Sequence, residues 1–492
     1  MNKKVCLFSI IIIILLCIVF CRSPLNSSND TFYLIKLGES IFKNGIDMLD
    51  HFSWIPNLTY TYPHWLYSIF LYIVYHNFSF LGLYIENMIC FIALALSIYY
   101  VNLKLNKNNI LALFTTIISI FSMNAFIVPR AQSMSIIAIF LSIYFINQLI
   151  NTGKIKYSIY LALCSLIIAN IHATIWIGFF VFFLPFFAEH LVFLLNKKRK
   201  KKKFLFNNRL SVEKVNNVKM LFVTFLICVV MGLFTPTRIC YTYFFKTLEG
   251  NSQTFISEHL PLVIIRYPIV FVIWFLLFFI QSKTKLREFL MISGIILMTF
   301  ISSRHLLFFF TIGLLYCSFI LKRDMDLNKE RTFDILEKRI IKNKLFNIMT
   351  IFLLILLCYF QIDKNIKDGF INKNNYPVLA VDYIKENLDY ENIRIINLYN
   401  DGSYLLFNNI KVFIDSRCDL YLKEFNSNVE VFDDYIKYRS ADNDFYYDFL
   451  IEKYDAEYIL LRKNNFNYFA LKMDNRYREL YSDYTYALYK KI

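Results

Sequence analysis

The residues best suited to chemistry are polar groups that fall between long apolar runs. Asp30 follows the first run. Arg130 and Gln132 stand in Pro129-Arg130-Ala131-Gln132, between two others. His172 lies between Asn170 and Thr174 in a further break, Glu258 precedes a later run, and Arg304 stands beside His305 between two more. An ionisable group at membrane depth is costly, so each is a functional candidate. A carboxylate, two arginines and a histidine together suit an anionic substrate. The arginine fork matches phosphate oxygens. A carboxylate beside it can take a proton from an incoming nucleophile or hold a divalent cation such as Mg or Mn. The set fits transfer from a phosphate leaving group. Structural readings compete: Arg130 and Arg304 as anchors snorkelling to headgroups, His172 as a helix-packing hydrogen-bonder, and any acidic loop residue as a helix cap or surface charge.

The elements that must position these groups are mostly apolar helices. Of 492 residues, 57% are hydrophobic and 18% aromatic, which excludes an ordinary soluble domain. Apolar runs fall at 5–21, 79–102, 109–128, 133–150, 156–171, 173–195, 218–236, 264–281, 286–302, 305–321 and 345–362. Their length suits a bilayer and predicts about eleven crossings. The formal charge of +16 suggests nucleic acid only if the chain is soluble. Here the excess sits in short loops, led by the run at 197–203, as the positive-inside rule expects of a cytoplasmic face. That rule places Asp30, Arg130, His172, Glu258 and Arg304 together on the opposite face. The ten cysteines lie mostly in apolar runs and show no metal-ligand spacing.

The first outer loop, 22–78, is too polar to cross. It carries Asp30, Glu39, Asp47 and Asp50, with the runs His51-Phe52-Ser53-Trp54 and Tyr62-Pro63-His64-Trp65. Gly38 and Gly45 are expected to divide it into short helical pieces. Residues 64–75 are apolar but short, so a half-span or an interfacial helix is expected there. Tyr60, Tyr62 and Trp65 fit an aromatic belt. After residue 362 the chain changes character. Turn signals at Lys367-Asp368-Gly369 and Asn400-Asp401-Gly402 separate short apolar stretches. Helices are expected at 380–387 and 445–454, and strands at 394–398, 404–407, 411–414 and 458–461. The expected architecture is a transmembrane domain over 1–362 and an extracytoplasmic α/β domain over 363–492.

Motifs in order carry a resemblance. Asp30, Tyr33, Gly38 and Ile41 open the set, followed by Asp50 to Trp54 and by His64-Trp65-Leu66. Then come Pro129 to Gln132, Ala169-Asn170-Ile171-His172, Ser257-Glu258-His259 and Ser302-Ser303-Arg304-His305. Gly402-Ser403-Tyr404-Leu405 and Phe413-Ile414-Asp415-Ser416-Arg417 close it. This succession resembles bacterial polytopic proteins related to the GT-C glycosyltransferase superfamily, which includes protein O-mannosyltransferases, aminoarabinose transferases and the oligosaccharyltransferase catalytic subunit. Two positions depart from the pattern: Ala173 replaces a glycine, and Thr235-Pro236-Thr237-Arg238 replaces an Asn-Pro-x-Gly element.

The resemblance implies a polytopic α-helical, GT-C-like fold in a bacterial plasma membrane. It implies a sugar donor linked to polyprenyl phosphate, and a glycan, lipid or protein acceptor at the outer face. The first-loop carboxylate then acts as base or metal ligand, a role that falls on Asp30 with Asp50 as second candidate. Arg130 and Arg304 would meet the donor phosphate. Asp415 and Arg417 would buttress one another or contact the acceptor. A transporter of lipid-linked sugar and a non-catalytic scaffold of envelope assembly are the alternatives.

Overall fold

The computed structural model describes residues 3–21, 28–198, 210–249, 260–277, 283–328, 332–427, 429–440 and 446–492. Glu258 and most of the 197–203 run lie outside them. Among the described residues, six helices are long and apolar enough to cross a membrane: Lys3–Phe20, Trp65–Asn106, Ala131–Thr152, Ala173–Lys197, Ser303–Leu327 and Lys344–Lys367. Three shorter apolar helices, Asn109–Met123, Ile155–Ile171 and Val218–Met231, pack among them.

Helix α1 spans Lys3–Phe20 and α2 spans Asp30–Asn44. Gly38 does not interrupt α2. A Cβ there would stand 1.9 Å from the Ser68 carbonyl oxygen, so the missing side chain is what lets α2 press against α3, Trp65–Asn106. Gly45 does end the helix: its φ is 81°, and its N–H donates to the Ile41 carbonyl at 2.9 Å. The 42 residues of α3 exceed the hydrocarbon layer about twofold at 1.5 Å per residue. The helix kinks at Ser79, where φ is 56°. Residues 65–78 pair with α2, and the membrane-length section follows Ser79, so α3 is two helices that meet at that residue and 65–75 lies in the first of them.

Helix α4 is Asn109–Met123, α5 Ala131–Thr152, α6 Ile155–Ile171, α7 Trp176–Val181 and α8 Leu184–Lys198. Then come α9 (Val218–Met231), α10 (Ile239–Glu249), α11 (Pro268–Leu277) and α12 (Leu286–Ile301). A short α13 (Leu306–Phe308) runs through a π-turn into α14 (Leu314–Leu327), followed by α15 (Thr332–Lys342) and α16 (Lys344–Lys367). Charge is sorted along α12. At its start, Arg287 pairs with buried Glu189 at 3.3 Å, Lys285 pairs with Glu213 at 2.8 Å, and Glu288 meets Arg323. Past its other end stands Arg304, roughly 24 Å away by helix rise. This charged cluster and Arg304 therefore lie at opposite ends of α12.

The C-terminal unit mixes helices and strands: α17 (Val378–Asn387), α18 (Tyr399–Phe407), α19 (Val431–Ser440), α20 (Tyr446–Lys453) and α21 (Phe466–Met473). Two two-residue strands, β1 (Leu210–Ser211) and β2 (Thr284–Lys285), pair at the charged end of the bundle. The C-terminal sheet has strands β3 (Ile395–Ile396), β4 (Tyr458–Arg462), β5 (Tyr477–Ser482) and β6 (Tyr486–Lys491), in the order β3-β4-β6-β5. Only β3–β4 is parallel. Two expected strands are absent from it. Residues 404–407 belong to α18, because Gly402 brings that helix against the next loop; a Cβ there would stand 2.0 Å from the Ile414 carbonyl oxygen. Residues 411–414 pair with the first loop instead: Val412 donates to the Phe52 carbonyl at 3.0 Å, and Trp54 donates to that of Val412 at 3.2 Å.

That seam is extensive. Phe32 of α2 enters the C-terminal unit, with ring centroids 4.9 Å from Tyr376 and 5.0 Å from Tyr404. Asn426 accepts from the Thr59 N–H at 3.0 Å and from its hydroxyl at 2.7 Å. First loop and C-terminal unit form one packed layer over one end of the bundle.

Candidate functional site

A cavity of about 610 Å³ opens between this layer and the helix ends. Asp30 lines it as the first residue of α2, where a carboxylate is favoured by the helix dipole. The Thr31 hydroxyl donates to the Pro129 carbonyl at 3.1 Å, so the start of α2 is held beside the start of α5. Arg130, in extended conformation just before α5, reaches across that junction. Its Nε lies 3.1 Å from Asp30 Oδ2 and donates to Ser28 Oγ at 3.0 Å. Gln132 also lines the cavity.

Two histidines stand at breaks between helices. His64 immediately precedes α3, and His172 separates α6 from the 3₁₀ turn Ala173–Ile175. The Ala173 N–H donates to the Pro63 carbonyl at 3.0 Å, which fastens the two breaks together. The imidazole centroids are 4.8 Å apart. Both Nδ1 atoms are buried without a hydrogen-bond partner among the described residues. Burial, then Arg304 and Arg130, push the His64 imidazole down to about 3, and it is neutral at physiological pH. Arg304 reaches the cavity from the 3₁₀ turn Ser303–His305 that follows α12. Neighbouring His305 accepts no such role: its Nδ1 meets the Met298 carbonyl at 2.9 Å and helps close the helix end.

The C-terminal unit supplies the remaining polar wall through Tyr399, Asn400 and Asp419, and α10 adds Tyr243 and Lys246. The other wall is apolar, with Ile177, Gly178 and Val181 of α7 facing Met298 and Ile301 of α12.

Asp30, Arg130, Gln132, His172 and Arg304 are thus brought together from four separate breaks in the helical pattern, Arg130 and Gln132 sharing the one before α5. Asp50 and Asp415 stand behind the wall. Arg417 touches the cavity, but its guanidinium lies between those two carboxylates, 2.5 Å from Asp50 and 2.7 Å from Asp415. Phe52 and Tyr60 sandwich it at 5.3 and 5.2 Å. The Tyr421 hydroxyl also donates to Asp415 at 2.8 Å. Glu258 lies outside the described residues. His64 and Asp419 escaped the sequence reading. His64 sits in an aromatic run that reads as a belt, and Asp419 follows Asp415 and Arg417 at alternate positions in a run whose turn geometry is tertiary.

Among the described residues no three of His, Cys, Asp and Glu are grouped to hold a metal ion.

Solved structures share this architecture. An Archaeoglobus fulgidus oligosaccharyltransferase, AglB, in complex with an inhibitory peptide and a dolichol-phosphate, superposes with a TM-score of 0.59 at 12% identity, covering 92% of this chain and 69% of that one. The chain has a GT-C-like fold. The apo form of the A. fulgidus oligosaccharyltransferase gives 0.54 at 12% identity, over 94% of this chain and 70% of the other. The form tethered to an acceptor peptide containing the NVT sequon gives 0.55 at 13%, over 94% and 69%. No protein-family model matches the sequence, and no curated protein matches it. At these identities the likeness speaks for the GT-C-like fold, and the site must be argued from its own residues.

Proposed function

We propose that this protein is a membrane glycosyltransferase of GT-C type. It moves a sugar from a polyprenyl-phosphate donor to an acceptor at the outer face of a bacterial plasma membrane. One observation carries the reading: two arginines, two buried imidazoles whose Nδ1 atoms have no partner among the described residues, and a carboxylate converge on a cavity whose opposite wall is apolar. Arg130 and Arg304 suit the donor phosphate, and fixed positive charge favours the departing phosphate as negative charge develops on it. The His64 and His172 nitrogens can bond phosphate or sugar oxygens. Asp30, held by Arg130, is the acidic group at that end of the cavity. The apolar wall suits an isoprenoid tail, since Ile301 at its edge is 73% exposed on the bundle surface. The dolichol-phosphate bound by the archaeal neighbour is a lipid of the same chemical class.

The test is turnover by the purified full-length chain. Polyprenyl-phosphate hexoses and pentoses are supplied in detergent with candidate acceptors, and released polyprenyl phosphate is measured. Wild type is expected to release it, and Asp30→Asn to lose most of that rate. Normal turnover in Asp30→Asn removes Asp30 from the reaction. Consumption of no donor by wild type favours transport or scaffolding.

A further inference from the structure

The cavity holds a second carboxylate with a different environment. Asp419 belongs to the 3₁₀ turn Cys418–Tyr421, two residues beyond Arg417. The Asp50–Arg417–Asp415 cluster pins this turn to the first loop, so Asp419 stands on a rigid support. Tyr243 of α10 donates its hydroxyl to Asp419 Oδ2 at 2.5 Å. Oδ1 carries no hydrogen bond among the described residues, on a side chain that lines the cavity. Asp30 differs, since its Oδ2 faces the Arg130 guanidinium.

We propose that Asp419 is a catalytic carboxylate of this cavity and takes the proton of an acceptor hydroxyl, while Asp30 and Arg130 position the donor. The proposal rests on the transferase reading. In the step, the acceptor oxygen bonds to the anomeric carbon as the bond from that carbon to the phosphate oxygen breaks. The acceptor proton passes to Asp419 Oδ1. The electron pair of the broken bond leaves with polyprenyl phosphate, beside Arg304 and Arg130. A base works best when its affinity for protons is not far below the working pH. Burial raises that of Asp419 above the ordinary aspartate range, opposed by the Tyr243 hydrogen bond and Arg304. Lys246 on α10 also lowers it and Glu424 on its own segment raises it, while Tyr60 of the first loop and Tyr399 of α18 feel its charge.

The experiment compares pH profiles of kcat/KM for the full-length protein on polyprenyl-phosphate hexose. Asp419→Asn is expected to lower kcat about 100-fold and to abolish the acidic limb. Affinity for C55 polyprenyl phosphate alone should not change, and Asp419→Glu should recover part of the rate. Asp30→Asn should keep the limb while losing rate and affinity. Tyr243→Phe removes a hydrogen bond that favours the ionised carboxylate, so its acidic limb should move to higher pH; this variant serves should Asp419→Asn not fold. A limb that persists in Asp419→Asn, or stays in place in Tyr243→Phe, overturns the assignment of Asp419 and leaves the transferase reading standing. A wild-type protein that consumes no donor overturns that reading, and this proposal with it.

Discussion

Two constellations in the layer formed by the first loop and the C-terminal unit use the same residue types to opposite ends. Asp30 and Arg130 form one pair, and Asp50, Arg417 and Asp415 form the other. Each takes an aspartate from the first loop and an arginine from a distant segment. The side chains of Asp30 and Arg130 are 23% and 18% exposed, toward a cavity that can admit a ligand. Those of Asp50 and Arg417 are each 1% exposed, and the remaining polar valence is met by Asp415, Tyr421 and two aromatic faces. A satisfied buried cluster fixes geometry. An open pair can exchange its partner for a substrate. Burial, rather than residue identity, separates latch from site.

The largest expected effect breaks the latch. Arg417→Ala leaves two carboxylates buried without a cation and should cost about 3–5 kcal/mol, seen as a lowered melting temperature in detergent. Restoration of most of that loss by adding Asp50→Asn and Asp415→Asn would show that the cost is unpaired charge; no restoration would assign it to lost packing. Asp30→Asn should do the reverse, with turnover falling about 100-fold while the melting temperature holds. A stability loss there comparable with that of Arg417→Ala would erase the distinction between the two clusters. Arg304→Ala, which opens the phosphate end, should weaken binding of polyprenyl phosphate by about tenfold, near 1.4 kcal/mol, read by titration. The smallest effect belongs to a third ion pair on α2, where Glu39 bridges Lys36 and Lys43 at 2.6 Å on the solvent side. Glu39→Gln should change stability by no more than about 0.5 kcal/mol and leave turnover intact.

Asp30, Arg130, Gln132, His172 and Arg304 were legible because each interrupts an apolar run, and loop charge assigned them to one face. Helix positions followed from the same contrast: the runs at 133–150 and 156–171 correspond to Ala131–Thr152 and Ile155–Ile171. The layer of first loop and C-terminal unit was less legible. Gly38 reads as a breaker locally, yet it sits within a continuous helix because the α2–α3 crossing leaves no room for a Cβ. Residues 411–414 have strand character, but their hydrogen-bond partner is the loop at 52–54, about 360 residues earlier in the chain.

The sequence by itself determined what is periodic or costly: apolar helices of membrane length, the basic end of the bundle, and the charges that interrupt it. These follow from transfer energies that each segment pays alone. Only the tertiary structure decided which carboxylate faces solvent and which is sealed, that His64 meets His172, and that Asp419 joins the cavity. Those outcomes depend on burial and on partners far away in the chain, and neither is a property of a residue or its neighbours.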